Sequence, residues 1–227
     1  MIVFDFCTSR SGEHARRFLG DYRGALMVDD YVGYKRSFAE GVIELGCWAH
    51  ARRKFVDQHT ASGSAVAREA IERIAVLYRI EAQAKARTHA ASHAHRQQYT
   101  VPTLHAIKAW MDALRPQIQG SGTANAIDYT LRRWPALVRC ADNGSYPIDN
   151  NPAENAIRPI ALGRKNGLFA GSETAGKRAA AIMSLLATAK ANGHEPHAWL
   201  TDVLIRLPTA LDRDIKSLLP HRWQTTA

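Results

Sequence analysis

The chain has 227 residues, which suits one domain or one domain with an insertion. Apolar residues make up 46%, enough for a real core and too many for a disordered chain. A net charge of +9 and a pI near 9.7 favour nucleic acid or another polyanion, the plain alternative being an ordinary basic surface.

Residues 2–7, IVFDFC, read as a short strand. The next stretch reads as a helix with Ser11 as N-cap and His14, Ala15, Phe18 and Leu19 as its stripe. Ala25–Val28 is an apolar run ending at Asp29 and Asp30, the pattern of a buried strand that delivers acids at its carboxyl end. In open α/β sheets that end is where sites form. Residues 31–39 begin a helix, 42–47 form another strand, and WAHARRKFVDQH continues into a helix. Residues 65–96 have helical periodicity through Ile71, Ile74, Ala75 and Tyr78. The His-rich stretch 88–98 reads as a helix end or loop and not as a metal site. Helices are expected over 103–115 and 124–141, separated by Gly120-Ser121-Gly122. An alanine-rich helix over 174–193 stops at Asn192-Gly193, and a last helix runs over 196–207. Residues 208–227 are weakly patterned, and no internal repeat is present.

Three widely spaced cysteines, Cys7, Cys47 and Cys140, make no disulfide framework and point to a reducing, cytoplasmic setting. Cys47 and His50 form half of a zinc pattern that nothing completes. No apolar stretch reaches the ~18 residues of a membrane span. The acidic, n-region-free start does not read as a signal peptide.

The densest chemistry lies in residues 147–169, PIDNNPAENAIRPIALGRKNGLF. Asn151-Pro152 is a good helix start, which places Glu154 in the first turns and Arg158 four residues on, on the same face. Asp149 and Glu154 either serve a cation or act as a helix cap and an ion-pair partner. Arg158, Arg164, Lys165 and Asn166, crowded downstream, are the residues phosphate contacts require. Carboxylates converging from different elements could hold two divalent ions about 3.5–4 Å apart for phosphoryl transfer, and hard oxygen ligands suit Mg²⁺ or Mn²⁺.

IDNNPAENAIRPIALGRKNGLFAGS, LMVDDYVGY with GCWAHARRKF, and AKANGHEPHAWLTDVLIRLP resemble, in that order, the signatures of the insertion-sequence-66 family of bacterial transposases. The resemblance implies a ribonuclease-H-like fold, a D-D-E triad with two divalent metals, and 3′-end cleavage followed by strand transfer. By that resemblance Asp29 matches the second acid and Glu154 the third, both as catalytic metal ligands, with Mg²⁺ (or Mn²⁺) as cofactor. Asp30 stands where the family usually has glycine and ranks below Asp29. Trp48, His50, Arg52, Arg53 and Lys54 match the CWAHARRKF block. Trp48 is expected in the core, and Arg52, Arg53 and Lys54 on DNA beside Arg158, Arg164, Lys165 and Asn166. The implied partner is DNA, as transposon ends and target; the resemblance leaves room for a homo-oligomer and implies no membrane partner.

The family's first acid lies on an upstream strand, and this chain is expected to start after it; Asp5 is a poor substitute on an edge strand. The expected fold class is therefore α/β, a truncated ribonuclease-H-like core with a largely helical insertion and a helical C-terminal part. Residues 1–59 would carry the first part of the core, 60–141 the insertion, 142–208 the rest with the Glu-bearing helix, and 209–227 a weakly structured tail. Without the first strand, Ala25–Val28 would show an unpaired edge. Three functions are weighed: a transposase catalytic region, a catalytically dead remnant that only binds DNA, and a basic helical interaction module unrelated to the family.

Overall fold

The computed structural model describes residues 1–85, 87–163 and 170–224. The chain divides into two compact units, one of Ala15–Pro152 and one of Met1–His14 with Ala153–Ala227. It is mostly helical with one small parallel sheet, an arrangement compatible with the α/β class. No helix among the described residues is long and apolar enough to cross a membrane.

Helix α1 (Gly12–Leu19) starts as the sequence predicts, with the Ser11 hydroxyl accepting a bond from the Glu13 amide at 3.2 Å. Strand β1 (Ala25–Val28) pairs in parallel with β2 (Ile43–Gly46), Ala25 opposite Ile43 and Val28 opposite Gly46. Parallel neighbours need a crossover, and the short helix α2 (Lys35–Ala39) lies within it. The sheet has two strands among the described residues, so β1 has a single strand partner there.

Behind the sheet, helices α3 (Trp48–Ser62), α4 (Ala65–Ala84), α6 (Val101–Leu114) and α7 (Gly122–Leu137) enclose one core, with α5 (His89–His95) leading into α6. Each helix contributes residues at helical spacing: Trp48, Ala51 and Phe55; Ala67, Ala70, Ile74 and Leu77; Leu104, Ile107 and Met111; Ile127, Trp134 and Leu137. The helices of 60–141 therefore share one apolar core with Trp48, Ala51 and Phe55 of α3. Trp48 is fully buried, as the sequence reading expects. Its indole Nε1 donates to the Leu137 carbonyl at 3.1 Å, and its ring meets Trp134 edge-on, with centroids 5.7 Å apart. Gly46 makes the close approach of β2 to α7 possible, because a Cβ there would stand 2.9 Å from the Leu137 backbone nitrogen.

Two expectations need correction. Residues 88–98 are neither a loop nor a simple helix end. They form α5 and then a π-helical turn, Arg96–Thr100, that runs directly into α6. Over 65–96, where at least one long helix is expected, α4 runs to Ala84 and α5 follows. The reason is electrostatic. Arg96 is buried and forks onto the Glu81 carboxylate at 2.6 and 3.0 Å. Its Nη1 donates to the carbonyls of Cys140 and Asn143. A guanidinium that satisfies a buried acid and two loop carbonyls outweighs the polar composition around it. Burial pushes the neighbouring Cys140 thiol up to about 12.

Residues 2–7 form no strand. In the unit that contains them they run extended along α9 (Glu173–Ala191). Their backbone is satisfied by side chains: Ile2 N–H donates to Thr188 Oγ1 at 3.0 Å and Phe4 N–H to Ser184 Oγ at 2.8 Å. Phe6 lies on Gly176, where a Cβ would meet its ring at 2.7 Å. Helix α10 (Pro196–Arg206) is capped by the Glu195 carboxylate, which accepts bonds from the His197 and Ala198 amides and is thereby held below the usual carboxylate range. Beyond it, the weakly patterned segment is pinned by two indoles. Trp199 Nε1 donates to the Leu218 carbonyl at 3.1 Å, and Trp223 Nε1 to Asp202 at 2.6 Å.

Gly46→Ala is expected to lower stability by about 1–3 kcal/mol through overpacking against α7, read as a fall in the urea midpoint. Arg96→Met alone should cost about 3–5 kcal/mol by stranding Glu81, and adding Glu81→Leu should restore much of it in the same titration.

Candidate functional site

Asp29 and Asp30 follow β1 directly, and the structure gives them different fates. Asp30 has φ +80°, in the left-handed region that favours glycine. The strained backbone is held by a cation: Arg133 of α7 donates from Nη1 to Asp30 at 2.9 Å and also to the Glu44 carboxylate of β2. Arg139 donates to the Glu44 backbone carbonyl at 2.7 Å and ties the same end of β2 to the chain after α7. Arg133 is nine-tenths buried, and its Nη2 finds no hydrogen-bond partner among the described residues. Asp29 is exposed, and it stands in no ion pair among the described residues. Its charge reaches Tyr34, whose pKa burial raises first and Asp29 raises further; at Tyr129 burial and then Asp30 raise the pKa, and Asp29 adds least. The turn thus consumes one carboxylate in an ion pair and leaves the other accessible.

The basic block of α3 is split by helix geometry. Trp48, Ala51 and Phe55 face the core, which leaves Arg53 and Lys54 exposed and Arg52 half-buried. Arg52 and Arg53 line a cleft of about 490 Å³ with Ala49, Val56, Ala75, Tyr78 and Asn151. Lys54 turns the other way, with its ammonium 5.5 Å from the centre of the Tyr129 ring. The sequence reading groups the three residues; the structure places Lys54 on a different flank from Arg52 and Arg53.

The Arg52–Arg53 cleft is floored by the opening of the Asp149 motif. Asp149 is buried and spends both oxygens locally. Oδ1 accepts from the Asn151 backbone amide at 3.1 Å, while Oδ2 accepts from the Asn151 side chain at 2.8 Å and from the Tyr78 hydroxyl at 2.9 Å. Of the two readings of Asp149, cation ligand or helix cap, the structure gives the second: it organises the start of α8 (Asn151–Gly163). Burial and the Asp149 charge push the Tyr78 hydroxyl well above its ordinary range, so it stays a donor. Asn150 is fastened to β2–α3 by the Cys47 thiol, which donates to Asn150 Oδ1 at 3.0 Å, and burial raises that thiol and keeps it protonated. Trp48 N–H donates to the Ile148 carbonyl at 3.1 Å. Sequence inspection missed Tyr78 as a partner of this motif because 71 residues separate it from Asp149. Arg133 was missed for the same reason, 103 residues from Asp30.

Glu154 lies in the first turn of α8 and is half-buried, and Arg158 is exposed one turn later. Arg164, Lys165 and Asn166 lie outside the described residues. Within neither unit do three His, Cys, Asp or Glu side chains among the described residues come together as a metal-holding group.

Residues 1–178 match the family described as Transposase IS66 family, and residues 184–221 match the IS66 C-terminal element. Uncharacterized protein y4jD of Sinorhizobium fredii (strain NBRC 101917 / NGR234) is 35% identical over 233 residues, covering 98% of this chain and 46% of its own length. Uncharacterized protein y4qI of the same strain is 34% identical over 237 residues, covering 100% of this chain and 44% of its own. The chain thus spans about half the length of the curated relatives it matches. No solved structure matches it. With signature and C-terminal element both matched in order along nearly the whole sequence, the chain belongs to the IS66 family of transposases.

Proposed function

We propose that this chain is part of the catalytic region of a DDE-type transposase, acting in metal-dependent 3′-end cleavage of transposon DNA and strand transfer into a target. The family match over residues 1–178 is the observation that carries this reading. The parallel pair β1–β2 is proposed as part of a ribonuclease-H-like core. Asp29 and Glu154 are the proposed second and third acids of the triad. An exposed carboxylate in no ion pair among the described residues suits Asp29 for a hard divalent cation, Mg²⁺ or Mn²⁺. When bound, such ions supply Lewis acidity at the attacking and leaving oxygens. The protein's own part is to hold the DNA and orient these carboxylates. Arg133 draws Asp30 and Glu44 aside from Asp29. Asp149 and Tyr78 set the first turn of the helix that bears Glu154. Arg52, Arg53, Lys54 and Arg158, with Arg164, Lys165 and Asn166, are the proposed DNA contacts.

The test is a nicking and strand-transfer assay on DNA carrying the element's ends, with Mg²⁺ or Mn²⁺. Asp29→Asn and Glu154→Gln should each remove cleavage, a loss of 100-fold or more on the scale of removed transition-state stabilisation, about 3 kcal/mol or above. Circular dichroism and DNA affinity should stay near wild type. Full activity in either variant overturns the assignment of that acid. Salt-sensitive DNA binding without metal-dependent cleavage by the unmodified chain replaces the reading with a DNA-binding remnant.

A further inference from the structure

We propose that the cleft between α3 and α7, on the flank opposite Arg52 and Arg53, is a second seat for the DNA backbone, with Lys54 and Arg132 as its phosphate ligands. This rests on the DNA-binding part of the function proposed above and adds residues to it. The cleft holds about 500 Å³ and is lined by Lys54, Gln58, Asn125, Asp128, Tyr129 and Arg132, closed by Gly122 and Ala126. All of these belong to the Ala15–Pro152 unit.

The electrostatics of the lining select the ligand. Two cations face the cleft, and both are preorganised on one aromatic ring. The Lys54 ammonium lies 5.5 Å and the Arg132 guanidinium 5.8 Å from the Tyr129 centroid. An ordered cation loses less rotamer freedom on binding than a free one. The one carboxylate in the lining is already neutralised. Asp128 accepts a forked bond from Arg115, with Nη2 at 2.7 Å, and Arg115 holds it below the usual carboxylate range. The remaining polar lining, the Gln58 and Asn125 side-chain amides, carries donors without adding charge. Lys54 and Arg132 stand in no ion pair among the described residues, although Arg132 lies within electrostatic reach of Asp128, and two such cations beside amide donors suit successive phosphodiesters. A chain of net charge +9 meets such a polyanion with long-range attraction in addition.

Helix geometry makes this seat distinct from the Arg52–Arg53 cleft. Lys54 is two residues beyond Arg52, so about 200° separates them around α3, and the core face intervenes on one side. One basic block thereby furnishes cations to two clefts.

Arg132 lines this cleft and not the Arg52–Arg53 cleft, and it lies outside the basic block of α3, which makes it the diagnostic position. Fluorescence anisotropy with a labelled duplex, repeated across salt concentrations, should show that Arg132→Gln lowers the slope of log K on log salt by about 0.9. Adding Lys54→Gln should lower it by about 1.8, with weaker binding to every sequence tested. Arg132→Lys should keep most of the slope. Both side chains are exposed, and an unchanged circular dichroism spectrum checks the fold. An unchanged slope in Arg132→Gln, alongside a lowered slope in Arg52→Gln/Arg53→Gln, overturns this cleft and leaves the DNA reading standing. No DNA binding by the unmodified chain overturns both.

Discussion

The fully buried Trp48 is the constraint on which the larger unit depends. It begins α3 directly after β2, and its two N–H groups reach in different directions. The indole bonds the end of α7 and the backbone amide bonds Ile148, just ahead of the Asp149 motif. One residue, through its side chain and its backbone, thus joins two core helices and the approach to the Glu154-bearing helix. A large aromatic with a polar tip does this well, because it removes much apolar surface from water while its N–H demands a defined acceptor. The phase it sets on α3 also decides which basic residues face outward. With Trp48, Ala51 and Phe55 inward, Arg52 and Arg53 fall on one flank and Lys54 on the other.

Buried and half-buried charge is handled by the same rule in several places among the described residues, each acid having a defined partner. Glu81 has Arg96, Asp30 and Glu44 share Arg133, and Asp149 has a tyrosine and an asparagine. Leaving such groups unpaired in a low dielectric would cost several kcal/mol each, of order 3–5. The consequence for chemistry is selective. Of the two consecutive aspartates after β1, the one in a glycine-like backbone conformation is neutralised and the exposed one is not. For a proposed metal ligand this difference matters more than the residue type the two share.

The sequence went furthest where the signal is local. The strand Ala25–Val28 with its terminal acids, the helix opening at Asn151-Pro152 and the helix stop at Asn192-Gly193 follow from short-range patterning and turn chemistry. The motifs also placed the chain in its family. Where the deciding partner is distant, local patterning misled. IVFDFC alternates like a strand, yet its amides bond hydroxyls 180 and 186 residues away on α9. The His-rich stretch reads as a helix end, yet it is helical because Arg96 inside it reaches Glu81 and the loop at Cys140–Asn143.

The family, the basic character, the main helices and the set of acids and cations are legible in the sequence, because each is written in residue identity or short spacing. How those groups are used follows from the folded packing. Asp149 became a helix organiser once Tyr78 met it, Asp30 became the partner of Arg133, and the basic block of α3 divided between two clefts. The physical reason is common to all three. A carboxylate or a guanidinium takes its role from the charges and donors within a few ångströms of it, and in this chain those neighbours lie 71 to 103 residues away in sequence.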